Sequence, residues 1–295
     1  MLTLSNDFWA ATILPAQGGG LTRLDWLAVG TPFPVLRPAP EEATLDPNQL
    51  ACFPLVPWSN RLWGHALPME DGCIAVPQNW CAEPYPIHGD AWRSAWQPVA
   101  VTAQRIILQH DAQPWLALPY QALMSYTLTG EQFHCQLTAL NTGQRRAPFG
   151  LGLHPFFKRT PGTRIRARTR HVWPPITSHS SCRCIPTDSC NFPANGQWQP
   201  LPEQTLDHCA GGWDGRAHIH WPEIRKTLSI DTWPPARFMV LYTPSGADFF
   251  CLEPVTHAND AHRKQPEGGD LGLVWLAPGQ HLSLEMTFQM QDDHF

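Results

Sequence analysis

This chain has few charged residues and very few lysines. Asp, Glu, Lys and Arg make up 15% of its 295 residues, and the net charge is −5. Nucleic-acid-binding domains normally carry a basic excess, so the composition argues against a nucleic-acid partner. The three lysines, Lys158, Lys226 and Lys264, lie outside buried strand patterns, which disfavours a Schiff-base enzyme that needs a desolvated lysine.

Long apolar runs are also missing. No stretch of about 18 apolar residues could span a membrane, and the N-terminus MLTLSNDFWA lacks the basic and apolar regions of a secretory signal. We therefore expect a cytoplasmic protein without a membrane partner, whose nine cysteines are reduced. Cys182, Cys184, Cys190 and nearby His179 tempt a zinc interpretation, but their spacing does not fit a zinc template, and we predict no metal.

The sequence also lacks the apolar periodicity of long helices. No segment keeps a 3.6-residue apolar period for ten residues, and the 31 prolines would interrupt long helices. Apolar residues instead alternate with polar ones over 122–139 around a turn at Gly130–Glu131, and again over 281–290, which predicts strands. Nothing marks a domain boundary, and the irregular part at 174–216 is interpreted as long loops. We predict an all-β fold of packed antiparallel sheets, with residues 1–295 as one domain.

Four short segments carry the polar side chains that sugar-ring chemistry requires. They are Asn60-Arg61 in PLVPWSNRLWG, His88 in PYPIHGDAWRSAW, His154 in FGLGLHPFFKR and Glu253 in FFCLEPVTHAND. A carboxylate, two imidazoles and a guanidinium on apolar flanks supply a base, an acid and an orienting cation without a cofactor. The order and the local amino-acid sequences of these segments resemble the motifs of the aldose 1-epimerase (galactose mutarotase) family.

The resemblance implies a large antiparallel β-sandwich, the galactose mutarotase-like supersandwich, with a sugar cleft on one sheet. It also implies an isomerase that interconverts the α and β anomers of a free aldose such as galactose or glucose, with no cofactor. In that scheme Glu253 is the base, His154 the acid that protonates the ring oxygen, and His88 assists ring opening. From residue type alone, Arg61 offers forked donors for sugar hydroxyls or for the developing oxyanion. Asn60 beside it could bind substrate in the same way or cap a turn, and Gly89 would let a substrate approach the backbone.

The family also uses an aspartate between the second histidine and the glutamate. Asp207 in TLDHCAGG and Asp214 in GGWDGR are the candidates, and the Leu-Asp-His spelling favours Asp207 for substrate binding. Trp213 is a candidate stacking platform for the sugar, although core packing explains a tryptophan equally well.

Other functions remain open from the sequence. A glycoside hydrolase could use Asp207 and Glu253 as its two carboxylates, but the imidazoles would then lack a purpose. A non-catalytic sugar sensor on the same scaffold would not need an acid–base pair. A hexose-6-phosphate 1-epimerase would need a cationic pocket, for which Arg93 or a stripe of alternating arginines is available. That stripe, Arg164, Arg166, Arg168 and Arg170, is as readily a solvated outer face. The sequence fixes neither the sugar nor the oligomeric state.

Overall fold

The computed structural model describes residues 1–28, 30–40, 46–173, 184–189, 192–234, 236–265 and 270–293. The first strands in chain order are β1 Leu2–Ser5, β2 Trp9–Leu14, β3 Gly20–Trp26, β4 Phe33–Pro34, β5 Cys52–Leu55, β6 Ala66–Met69, β7 Gly72–Ala75 and β8 Gln97–Val101. They are followed by β9 Arg105–Asp111, β10 Tyr120–Thr129, β11 Gln132–Asn141, β12 Ala147–Phe149, β13 Gly152–Lys158, β14 Arg164–Ala167, β15 His171–Trp173 and β16 Ile185–Pro186. The last are β17 Gln199–Pro200, β18 Leu206–Gly211, β19 Arg216–Trp221, β20 Lys226–Trp233, β21 Phe238–Thr243, β22 Phe249–Val255, β23 Val274–Leu276 and β24 His281–Asp292.

Helix is scarce in the described ranges. The α-helix α1 spans Ala261–Lys264, and short 3₁₀ turns cover Pro47–Gln49, Trp63–His65, Ala91–Arg93, Thr187–Ser189 and Pro222–Ile224. None of the described helices has the length and apolar character needed to cross a membrane. The prediction of an all-β fold is confirmed.

Two large antiparallel sheets make up most of the structure. The eleven-stranded sheet runs β1-β2-β3-β5-β13-β22-β21-β18-β15-β16, with β4 paired to β3. The nine-stranded sheet runs β17-β14-β19-β20-β24-β11-β10-β9-β8. Two further pairs, β6-β7 and β12-β23, lie outside them.

The two sheets pack face to face through a large apolar core. Aromatic contacts join them at Trp9 and Phe133, with ring centroids 6.2 Å apart, and at Phe157 and Phe288, 5.6 Å apart. Each pair takes one ring from each sheet, as expected for the inner faces of a β-sandwich. The single-domain assignment stays a prediction.

The nine-stranded sheet follows the alternation of its sequence. The hairpin of β10 and β11 pairs residues 120–129 with 132–141, and the two strands are joined at Gly130. Along β11 every second residue is buried, and the same holds for 284–290 of β24. One face of these strands contacts the core and the other is partly solvated, which is the cause of period-two patterning.

The middle of the eleven-stranded sheet behaves differently, because it is covered on both faces. Six of the seven residues of β13 and of β22 are buried. A second apolar cluster lies on the face away from the main core and includes Phe53, Phe156, Val240, Cys251 and Val255. The two-sided burial leaves these strands without alternation.

One proline of this sheet lies inside a strand, and one expectation about the sheet needs correction. Pro254 pairs with Met239 within β22, and the strand continues to Val255. The segment 174–216 is not loop throughout, since 206–211 form β18 and pair with β21 along its full length. Cys182, Cys190 and His179, the residues considered above for zinc, lie outside the described residues, and Cys184 is exposed.

Candidate active site

A cleft of about 240 Å³ opens on the doubly covered part of the eleven-stranded sheet. Four adjacent strands form the floor of the cleft: β13 carries His154, β22 carries Glu253, β21 carries Tyr242 and β18 carries Asp207. Side chains two apart on a strand share a face, so His154 and Phe156 point the same way, as do Glu253 and Cys251. The remaining lining residues are Asn48, Asn60, Arg61, Glu83, Ile87, His88 and Val240.

His154 is held between two phenylalanine rings. Its ring centroid lies 4.6 Å from Phe53, its cross-strand partner on β5, and 4.6 Å from Phe156, and both contacts are stacked. Nδ1 is buried without a hydrogen-bond partner among the described residues. Burial therefore disfavours the imidazolium and lowers the pKa of His154 to about 3.

Glu253 lies directly beside this imidazole. Its Oε1 is 3.4 Å from His154 Nε2, and its side chain is 3% exposed. Burial, reinforced by the negative charge of Asp207 and opposed by Arg61, raises the pKa of Glu253 well above its ordinary value. The same desolvation thus disfavours both charged partners, so the pair prefers a neutral carboxylic acid and a neutral imidazole.

Cys251 stands close to the same pair. A sulfur, a nitrogen and an oxygen from Cys251, His154 and Glu253 lie within 4.8 Å of one another. Burial raises the pKa of the Cys251 thiol well above its usual value, which opposes the thiolate form that a metal ligand takes. Within the described part of the chain, these three residues are the group whose atoms could hold a metal ion.

His88 and Asn60 are joined by two hydrogen bonds. The Asn60 amide donates to His88 Nδ1 at 3.1 Å, and the His88 amide donates to the Asn60 carbonyl at 3.1 Å. Both residues have positive φ, 62° and 61°. Because Nδ1 accepts a hydrogen bond, the neutral ring carries its proton on Nε2. The ring lies nearly perpendicular to His154, with centroids 5.6 Å apart, which gives the cleft a second imidazole whose Nε2 carries the proton.

Gly89 has a structural role that differs from the expected one. At φ 72° a Cβ here would lie 1.9 Å from the Val56 carbonyl oxygen, so the glycine lets two backbones meet rather than admitting a substrate. The following Asp90 is buried and accepts hydrogen bonds from Tyr120 Oη at 2.5 Å and from His110 Nε2 at 3.0 Å. These contacts fix the loop that presents His88.

Arg61 lines the cleft, and its guanidinium is paired with the Glu83 carboxylate. Nε and one terminal nitrogen each donate to a carboxylate oxygen of Glu83 at 2.6 Å, and the other terminal nitrogen lies 3.9 Å from Asp207 Oδ2. Of the two candidate aspartates, the structure thus places Asp207 at the cleft. Asp214 lies elsewhere, in a surface pocket beside Trp233.

Trp213 is not brought to the cleft. It is 3% exposed, belongs to the main core, and donates its indole N–H to the Arg216 carbonyl at 2.7 Å. A stacking platform needs an accessible ring face, so this position favours core packing. Tyr242 is instead the aromatic residue that lines the cleft, while Phe53 and Phe156 stack on the ring of His154.

The arginines considered for a phosphate also lie away from the cleft lining. Arg164 and Arg166 are on β14 of the nine-stranded sheet, where Arg166 covers the Trp198 ring. Arg93 covers Trp80 and donates to the Asn79 carbonyl. The loop residues that line the cleft, Glu83 and Asn48, had no recognisable signal in the sequence.

Fold and site together describe an antiparallel β-sandwich with a buried acid–base pair in a polar cleft. A family model for aldose 1-epimerase matches residues 1–289. The chain is 31% identical over 269 residues to the uncharacterized protein YphB of Escherichia coli K12, covering 88% of this chain and 89% of that protein. The chain belongs to the aldose 1-epimerase family.

Solved structures agree with this assignment. An E. coli K12 protein provisionally named aldose 1-epimerase superposes with a TM-score of 0.88 at 29% identity, covering 98% of each chain. A GalM/aldose epimerase homologue from C. elegans superposes with a TM-score of 0.81 at 14% identity, covering 99% of each chain. The second likeness supports the fold alone.

Proposed function

We propose that this protein is an aldose 1-epimerase that interconverts the anomers of a free aldose by acid–base ring opening. The observation that carries the proposal is the cross-strand contact of Glu253 and His154, 3.4 Å apart and almost fully buried in one cleft. A pair with opposed pKa shifts, facing a second imidazole at His88, is suited to moving protons at one reacting centre.

The reaction needs a proton removed from the C1 hydroxyl and a proton delivered to the ring oxygen as the C1–O5 bond breaks. Glu253 is the base in this proposal and His154 the acid, while His88 Nε2–H donates a hydrogen bond near the ring oxygen. The aldehyde then turns about C1–C2 and the ring recloses with both transfers reversed. Because the pair prefers to be neutral, the competent Glu⁻–His⁺ form is a minority state, which the developing charges of the sugar and the Arg61 guanidinium stabilise.

The charges of the cleft favour a neutral sugar over a sugar phosphate. Among the described residues that line it, Glu83, Asp207 and Glu253 are acids, and Arg61 supplies the only permanent positive charge. Two of that guanidinium's nitrogens are already bonded to Glu83. A phosphate dianion would meet the Asp207 carboxylate and a cation that Glu83 already engages.

Polarimetry on freshly dissolved α-galactose, α-glucose and their 6-phosphates tests the proposal. We expect acceleration of mutarotation for at least one free sugar and a smaller effect on the 6-phosphates. Sugars that equilibrate at the spontaneous rate would refute the epimerase function, and binding without turnover would indicate a sugar sensor. Preference for a 6-phosphate would overturn the substrate class.

A further inference from the structure

Arg61 and Glu83 form the tightest ion pair of the cleft. Nε and one terminal nitrogen of the guanidinium meet the two oxygens of a single carboxylate at 2.6 Å each. The Arg61 side chain is 30% exposed and that of Glu83 is 20% exposed. Such a two-point contact fixes both the position and the plane of a guanidinium.

The second terminal nitrogen is left facing the cleft. It lies 3.9 Å from Asp207 Oδ2, beyond hydrogen-bond distance. A sugar hydroxyl placed between the two could accept from Arg61 and donate to Asp207. The contact with Glu83 therefore selects which N–H groups of Arg61 are available to a ligand.

The backbone makes Glu83 a fixed point. The Glu83 amide donates to the Trp80 carbonyl at 3.2 Å, and the Gln78 side chain donates to the carbonyls of Trp80 and Glu83. Farther along the loop, Asn79 donates to the carbonyls of Ile87 and Gly89 and accepts from the Ile87 amide. Arg61 itself pairs with Ile87 through its backbone. One closed loop thus presents His88 on one side and the Glu83 carboxylate on the other.

We propose that Glu83 is a positioning residue of the epimerase site: it orients Arg61 toward the sugar and sets the charge that Arg61 presents to the acid–base pair. This inference rests on the proposed function. Glu83 acts through Arg61, and its carboxylate has both oxygens bonded to the guanidinium.

The charge of Glu83 should change the pKa values of the nearby acids in a definite direction. Arg61 lowers the pKa of Glu253, and Glu83 raises that of Asp207 beside it, although burial is the largest cause of both shifts. Removing the negative charge at Glu83 leaves the Arg61 cation less neutralised, so the pKa of every nearby acid should fall. The titratable and charged groups around this point are Arg37, His88, His154, Asp207, Tyr242, Cys251 and Glu253, with His208 behind Asp207 on the opposite face of β18.

The test compares Glu83→Gln, which removes the charge, with Glu83→Asp, which keeps the charge on a side chain one methylene shorter. Glu131→Gln, at an exposed hairpin-turn position, is the matched control. For Glu83→Gln we expect kcat/KM to fall by about tenfold, the scale of a lost charged hydrogen bond, and the whole pH–rate profile to move to lower pH. Glu83→Asp should lower kcat/KM with the profile in place, and Glu131→Gln should match wild type in both respects.

A second readout separates this inference from the proposed function. In ¹³C-glutamate-labelled protein, the titration of the Glu253 carboxyl carbon, assigned with Glu253→Gln, should move to lower pH in Glu83→Gln. That measurement needs no turnover, so it decides the electrostatic role even if wild type proves inactive on every sugar. An unmoved carboxyl titration in folded Glu83→Gln would overturn the electrostatic role. Wild-type kcat/KM with an unmoved pH–rate profile would overturn the positioning role.

Discussion

Among the described residues, two histidine–glutamate pairs join neighbouring strands, one pair on each large sheet. On the nine-stranded sheet, His134 Nδ1 lies 3.2 Å from Glu285 Oε1, with side chains 20% and 28% exposed. On the eleven-stranded sheet, His154 Nε2 lies 3.4 Å from Glu253 Oε1, with side chains 11% and 3% exposed. The residue types and the spacing are nearly the same, but the surroundings differ.

The surroundings decide what each pair can do. His134 also contacts the Thr287 hydroxyl at 3.0 Å on a partly solvated face, where water screens an ion pair and makes it worth little. His154 and Glu253 lie in a cleft walled by phenylalanines, where burial shifts both pKa values in opposite directions. The same two side chains form a partly solvated contact in one sheet and a buried contact in the other.

The largest expected effect separates the two glutamates. Glu253→Gln keeps size and hydrogen bonding but removes the proton acceptor, so the mutarotation rate should fall on the order of 10²-fold or more. Glu285→Gln makes the same change in the solvated pair and should leave the rate near that of wild type. Polarimetry on both variants, with circular dichroism to verify the fold, makes the comparison. A near-normal rate for Glu253→Gln would remove it from the mechanism.

The histidines should separate in the same direction. For the wild type we expect a bell-shaped dependence of the rate on pH, because the acidic and the basic decline both come from ionisation of Glu253 and His154. We expect His154→Ala to lose on the order of 10²-fold in rate and to lose this bell shape. His134→Ala should keep both rate and shape. If His154→Ala were active with both limbs intact, the acid would have to be another group, and His88 would be the first candidate.

A smaller effect concerns stability against acid. In the folded state the pKa of His154 is about 3, while the unfolded chain has the ordinary value near 6.5. The unfolded state thus binds the proton first, so this histidine costs stability as the pH falls from about 6.5 toward 3, by about 2 kcal/mol at pH 5. Glu253 acts in the opposite sense, because its raised pKa lets the folded state bind a proton first.

Urea unfolding at pH 7 and pH 5 measures this contribution. His154→Asn should lose less stability between the two values than wild type does, whereas His134→Asn should retain the wild-type loss. Equal losses in wild type and His154→Asn would mean that the buried imidazole does not resist protonation as the structure indicates.

The smallest effect should come from chelation. Ring opening moves protons only, so EDTA should leave the mutarotation rate unchanged, and purified protein should hold less than about one equivalent of zinc. Stoichiometric zinc whose removal abolishes turnover would contradict this and would direct attention to Cys182, Cys184, Cys190 and His179.

Sequence reasoning succeeded where a local rule operates. Strands β10, β11 and β24 alternate in the sequence because only one of their faces meets the core. The four polar segments were recognisable from residue type and order, and His88, His154, Arg61 and Asn60 do line one cleft with Glu253. Asp207 was preferred over Asp214 on spelling alone, and the strand β18 that carries it was interpreted as loop.

The sequence by itself determined the all-β character and the set of chemical groups, because period-two burial and motif spelling are local properties of the chain. Only the tertiary structure decided which of them work together. Glu83 contacts Arg61 because one loop closes beside it. Trp213 packs in the core, and Gly89 lies against the Val56 backbone. The contrast between His154–Glu253 and His134–Glu285 has the same origin, since desolvation depends on what covers a sheet face, and segments distant in sequence supply that cover.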